Sequence, residues 1–197
     1  MSGSIKTSLP HGCDGGPVTD TAASYRATAS ALSAVLDAVP ADRWSAPSPC
    51  EGWSAADVVA HVVDTQRELL TTHGCDVGPA PSPGDPAAAF RAHADQVAAL
   101  LTDELVGREY AGFFGPTTVG ATLEQFYVWD MVVHRWDVAR ATGGDESLSA
   151  AELDRTEAGA DSFGEALHMD GICAPALPAD PGADRQGRVL ARLGRRA

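Results

Sequence analysis

The run DMVVHRWD, residues 130 to 137, sets two carboxylates around an imidazole at intervals of four and three residues. On an α-helix, side chains at i and i+4 stand one above the other on one face. Asp130 and His134 can therefore reach a common point. Turning about 100° per residue from Leu123 puts Asp130, His134 and Asp137 on the same side as Phe126, Tyr127, Val133 and Ala141. That side is expected to face a core, where an unpaired carboxylate is costly. Two compensations are open. Asp130 and His134 form an internal ion pair, whose net stabilisation after desolvation is small, or a divalent cation holds both and keeps the carboxylate ionised. Spacing alone does not choose between them.

A third donor has to come from another element. His61, in DVVAHVVDTQREL, lies at the edge of a stripe formed by Val59, Val62, Val63, Gln66 and Leu70. From that edge it can look into a helical interior. Taken alone it reads as a hydrogen-bonded boundary histidine. With Asp130 and His134 it completes a set of three ligands, the number catalytic zinc sites use while keeping a position open. Cys50, in PSPCEGW, has no base or ligand pair beside it in sequence and reads as a small packing residue. His73, His93 and His168 lack partners at ligand spacing, and His11 and Cys13 lie in a segment without periodicity. Trp44, Trp53, Trp129 and Trp136 read as core and helix-junction residues, with Trp129 or Trp136 available to a pocket mouth.

The elements that must position these groups are helical. An Ala-rich segment from about Thr19 to Val39 carries Tyr25, Leu32, Val35, Leu36 and Val39 on one stripe. A proline-rich break follows. Ser54 and Asp57 match a capping box, with Trp53 placed to staple onto Val58, and open a second helix running to about Thr72. A third helix is expected from Pro86 to about Leu105, a Gly-punctuated loop over residues 106–117, and a fourth helix from about Thr118 to Thr142, stopped by Gly143 and Gly144. A weaker helix, an extended connection and a final short helix follow. No strand pattern or repeat stands out. The expected fold is all-α, a four-helix bundle with additional C-terminal helical elements.

The chain has 197 residues, 44% of them hydrophobic, enough for one domain with a real core. Residues 1–18, rich in Gly, Ser and Pro, read as a flexible extension, and residues 19–197 as a single domain. Against 14 Lys and Arg stand 27 Asp and Glu, a net charge of -13, which disfavours nucleic-acid and anionic-membrane partners. The basic C-terminal stretch RQGRVLARLGRR reads as the solvated face of an amphipathic last helix. No apolar run approaches the roughly 20 residues of a membrane span, and the polar start has no signal-type segment, so a cytoplasmic location is expected. Cys13, Cys50, Cys75 and Cys173 form no Cys-x-x-Cys pair and fit reduced thiols.

The segments RWSAPSPCEGWSAADVVAHVVD and DMVVHRWDVARATG resemble the metal-binding branch of the DinB-like superfamily that includes the N-terminal domain of mycothiol-dependent maleylpyruvate isomerase. The specific parts are the Pro-Cys-x-Gly-Trp turn before a helix with an internal His, and the acid-x-x-x-His-x-x-Asp pattern on a later helix. The resemblance implies a helical bundle holding a divalent metal, usually zinc or nickel, with His61, Asp130 and His134 as ligands and water or a thiol in the remaining position. Asp130 departs from the isomerase pattern, which has Glu there, and is one methylene shorter. Asp137 reads as a residue that orients a ligand histidine or as a helix-packing hydrogen-bond acceptor, and not as a ligand. Two functions follow as expectations. One is a metal- and thiol-dependent transferase or isomerase of the mycothiol type, with a small-molecule electrophile and a thiol as partners. The other is a non-catalytic metal-binding or regulatory module. A homodimer is compatible with either.

Overall fold

The computed structural model describes residues 21–82 and 84–197, so the extension read at residues 1–18 lies outside the described residues. Four long helices carry the fold: α1 (Thr21–Asp37), α2 (Ala55–Thr72), α3 (Pro86–Leu100) and, after two short helices α4 (Asp103–Val106) and α5 (Val119–Thr122), α6 (Trp129–Thr142). Helix α1 packs on α3 and α6, and α2 packs on the same two, which closes a ring of four around one core. Tyr25, Leu32 and Leu36 of α1 meet Val58, Val62 and Leu70 of α2, Phe90 and Val97 of α3, and Met131 of α6 there. The sequence marks the helix starts. Ser54 accepts from the Asp57 backbone N–H while the Asp57 carboxylate accepts from that of Ser54, the expected capping box. Asp85 caps α3 ahead of Pro86, and α6 stops at Gly143, whose φ of 78° is left-handed.

Two boundaries differ from the sequence reading. The third helix ends at Leu100, because the Thr102 hydroxyl accepts from the Leu105 backbone N–H and caps α4 as a separate turn. The loop expected over 106–117 contains an antiparallel hairpin, β1 (Glu109–Gly112) with β2 (Gly115–Thr118), turned by Phe113 and Phe114. Strands of four residues are too short to show an alternating pattern.

The C-terminal elements decide the environment of α6. Helix α7 (Ala150–Phe163), opened by a second capping box from Ser149 and Glu152, packs across α6, and α8 (Arg185–Arg192) packs on α7. Helix α6 is consequently buried around nearly its whole circumference, Met131 through Ala139 included. The charges on its apolar face are matched within the fold. The Arg135 guanidinium donates to Glu152 Oε1 at 2.7 Å and to the Ser147 carbonyl at 2.7 Å. Preceding α6, Leu123–Val128 is wound as a π-helix, which shifts the phase of the side chains relative to a uniform α-helix. Phe126 and Tyr127, expected in the core, stand half-buried at its edge.

Gly159 of α7 sits against the Trp129 indole, whose Nε1–H donates to the Thr156 carbonyl at 3.0 Å. A Cβ at position 159 would overlap that ring. Gly159→Ala is therefore expected to destabilise the protein by about 1–3 kcal/mol, although alanine in a helix is favoured over glycine by about 1 kcal/mol. Urea denaturation measures the sign, and a stabilised variant would mean that α7 does not press on Trp129.

Candidate metal centre

The turn before α2 is folded by its own backbone. Ser48 N–H donates to the Trp53 carbonyl at 2.8 Å, Trp53 N–H donates to that of Cys50 at 3.0 Å, and Gly52 supplies a φ of 79°. This closes Pro-Cys-x-Gly-Trp into a compact loop. It lays the Trp53 ring 4.8 Å from the His61 ring and brings the Cys50 thiol against α6.

Three of the expected residues come together. Asp130 of α6 places Oδ2 3.5 Å from His61 Nε2 on α2 and Oδ1 3.2 Å from His134 Nε2 one turn along. One donor atom from each of the three lies within 4.8 Å of the others. The shorter aspartate side chain thus reaches both imidazoles. Burial works to raise the Asp130 carboxyl, but the His134 and His61 imidazoles outweigh it and hold the group well below the usual carboxylate range. Burial likewise works to lower His134, and the Asp130 charge overrides it, so that imidazole is held well above its usual range.

On its other side His134 Nδ1 lies 2.9 Å from Asp137 Oδ2. With an Nδ1–H donated to Asp137, Nε2 is the atom directed at Asp130 and His61, where it holds a proton against the Asp130 charge or gives that proton up to ligate a metal, the arrangement by which a carboxylate orients a metal-ligating histidine. Asp137 is fully buried, and Arg195 grips both its oxygens, Nε to Oδ1 and Nη2 to Oδ2, each at 2.7 Å. Burial raises the Asp137 carboxyl, and the Arg195 charge more than reverses that. Arg195 corrects the sequence reading: it follows α8, is itself buried, and belongs to the centre and not to a solvated face.

Cys50 packs against the main core, as its sequence setting suggests, and also borders this group. Its thiol lies 3.5 Å from Asp137 Oδ2 and accepts from Arg195 Nη2 at 3.7 Å, so it has the charged neighbours its sequence setting lacked. Cys50, His134 and Asp137 form a second group of donors. Its carboxylate is already neutralised by Arg195, whereas Asp130 faces only the two imidazoles. Of the two donor sets, His61, Asp130 and His134 is the one whose carboxylate is not already paired with an arginine, and its residue types are ones a divalent cation takes.

The other candidates stand apart. His93 lies in the bundle core, where its Nε2 is 3.1 Å from Gln66 Oε1, which also accepts from Tyr25 Oη at 2.8 Å; burial pushes His93 down to about 4. His73 packs against the Tyr110 ring, and His168 Nδ1 meets the Ala174 carbonyl. Cys50, Cys75 and Cys173 are free thiols. Trp136 is fully buried, while Trp129 lines the open side of the centre, a cleft of about 180 Å³ that also takes in His61, Thr65, Phe126, Tyr127 and Asp130.

An all-α bundle with an internal cluster of two imidazoles and a carboxylate is the class this architecture defines. Residues 25–139 match the family model of the mycothiol maleylpyruvate isomerase N-terminal domain, and the chain belongs to that family. It is 32% identical over 144 residues to the uncharacterized protein Rv0036c of Mycobacterium tuberculosis, covering 61% of this chain and 56% of that one. It is 27% identical over 141 residues to the uncharacterized protein Rv0738 of the same organism, covering 66% and 71% respectively. The chain thus spans little more than half the length of the first of these relatives. No solved structure matches it. Arg195 lies beyond the matched segment. Among the described residues no helix is long and apolar enough to cross a membrane.

Proposed function

We propose that His61, Asp130 and His134 hold one divalent cation, and that the chain uses it with a low-molecular-weight thiol of the mycothiol type in a transferase or isomerase reaction on a small electrophile. The carrying observation is the convergence of their three donor atoms within 4.8 Å. Two imidazoles and a carboxylate suit zinc, and nickel is a second metal that such nitrogen donors accept. The family's name supports the choice of thiol and reaction class. When bound, a divalent cation lowers the pKa of a thiol and presents it as a thiolate.

The chain's own residues hold and shield the centre. Asp137, clamped by Arg195, holds a proton of His134 on Nδ1, so that Nε2 is the atom that would ligate. Trp53, packed beside His61, restrains that ring, and Trp129, Phe126 and Phe163 border the cleft with apolar surface that limits water. Apart from His61 and Asp130, the only titratable group lining the cleft among the described residues is Tyr127, whose phenol burial pushes up to about 12. A reaction in which the thiolate is itself the nucleophile needs no separate base, which favours thiol addition over base-catalysed hydrolysis. The same lack of a base is the observation behind the second reading, a metal-binding or regulatory module without turnover.

Protein prepared without an affinity tag should contain about one divalent ion per chain by elemental analysis, and His61→Ala should lose it, since His61 is the sole donor from α2 in this set. Full occupancy in His61→Ala would remove His61 from the centre. Metal-dependent consumption of a thiol by an added electrophile separates the enzyme from the inert module.

A further inference from the structure

The hairpin β1–β2 ends in a feature its folding does not require. Tight hairpin turns are served by Gly, Asn and Asp, yet this one carries Phe113 and Phe114, 77% and 52% exposed, the two most exposed large hydrophobic side chains among the described residues. They begin an aromatic row. Phe113 meets Phe114 at 4.9 Å between ring centroids; Phe114 lies parallel to Phe126 at 6.0 Å; Phe126 meets Phe163 at 5.2 Å; and Phe163 meets Trp129 at 5.2 Å. Phe126, Phe163 and Trp129 are walls of the cleft beside His61 and Asp130. The row therefore leads from the surface of the hairpin to the centre.

Along it runs a groove of about 390 Å³, lined among others by Leu69, Tyr110, Phe113, Phe114, Phe126 and Tyr127. Phe126 and Tyr127 border both this groove and the cleft, so the two adjoin. The π-helical turn holds both residues at this edge and out of the core. The rest of the lining is glycine, proline, threonine and glutamine, and no residue in it carries a formal charge, on a chain of net charge -13. Uncharged aromatic walls with a few hydroxyl and amide groups take an uncharged, flat or chain-like apolar group.

We propose that this groove is a binding site for the neutral aryl or alkyl body of the small molecule whose reactive end enters the cleft at His61 and Asp130. The proposal rests on the reading of that cleft as a metal and thiol centre, and it names the class of electrophile as apolar and uncharged. Phe114 and Phe126 are the residues that select it.

Two fluorescent probes with the same rings test the charge preference: N-phenyl-1-naphthylamine, which is neutral, and 8-anilino-1-naphthalenesulfonate, which is anionic. In chelator-treated protein the neutral probe is expected to bind about tenfold more tightly or better, and Phe114→Ser should remove at least about tenfold of that affinity. Phe114 is half exposed, so this variant keeps the fold; Phe126→Ala, checked by circular dichroism, should act in the same direction. In zinc-loaded protein phenylmethanethiol should displace the neutral probe at a concentration about tenfold lower than in stripped protein, because its sulfur and ring then engage both ends of one site. Equal affinity for the two probes, or binding unaffected by both variants, overturns the proposal. So does probe binding with zinc-independent competition. A dimer in sedimentation that Phe113→Ser dissociates also overturns it, since a second copy would then cover the groove. Protein that takes up no zinc defeats the metal reading instead, and the titrations in chelator still decide the groove.

Discussion

Arg195→Met is expected to destabilise the protein by about 3–5 kcal/mol, the cost of leaving a buried charge without its partner. For a chain of this length that lowers Tm by on the order of 10 °C. Asp137 is fully buried, and Arg195 supplies the bidentate pairing that keeps its carboxylate ionised there. What remains after its removal is the contact with His134 Nδ1 and the weak thiol of Cys50. The double variant Arg195→Met with Asp137→Asn removes both charges and should recover most of the loss, since replacing a whole buried pair is far cheaper than breaking it. Thermal and urea denaturation of the two single variants and the double variant close the cycle. An Arg195→Met protein within about 1 kcal/mol of the parent would show that the clamp contributes no more than a surface ion pair.

Asp130→Asn is expected to abolish most of the stabilisation that added metal confers. In the parent, a hundredfold excess of zinc over its dissociation constant should raise stability by about 2.7 kcal/mol, because the cation binds only the folded arrangement. Asparagine keeps the shape of the side chain but is a poorer ligand and removes the negative charge that faces both imidazoles. Asp130→Glu should retain the metal-dependent rise, as the longer carboxylate still lies between His61 and His134. Without metal, Asp130→Asn should change stability little, since it removes the burial cost of a charge together with its attraction to His134. Equal rises in Tm with zinc for parent, Asn and Glu proteins would take Asp130 out of the centre and leave its position between two imidazoles as an ion pair only.

Helix starts and the spacing of Asp130, His134 and Asp137 were legible in the sequence because both are local. A capping box is closed by residues three apart, and a turn of helix brings i and i+4 together whatever surrounds them. Ser54 with Asp57, Pro86 at the start of α3, and Gly143 at the end of α6 behave as their sequence settings require. The uniform helical phase did not hold through Leu123–Val128, where a π-helical turn is set by packing and carries no residue signature. The hairpin was hidden for a related reason: its pairing partners sit on strands of four residues, and Phe113 and Phe114 do not announce a turn.

Helical periodicity assigns residue types to helix faces, and so nominates His61, Asp130 and His134 as one group. What lies behind them depends on how distant segments pack. Arg195 comes to Asp137 from 58 residues away, and Cys50 reaches the same carboxylate from 87 residues away, through the turn before α2. Neither approach is encoded in periodicity. A buried arginine and a solvated one have the same local sequence, and burial depends on which other elements cover the position. Here α7 and the segment after α8 close over α6, so a basic stretch that would otherwise be expected to face water is drawn inward by the fully buried Asp137 carboxylate.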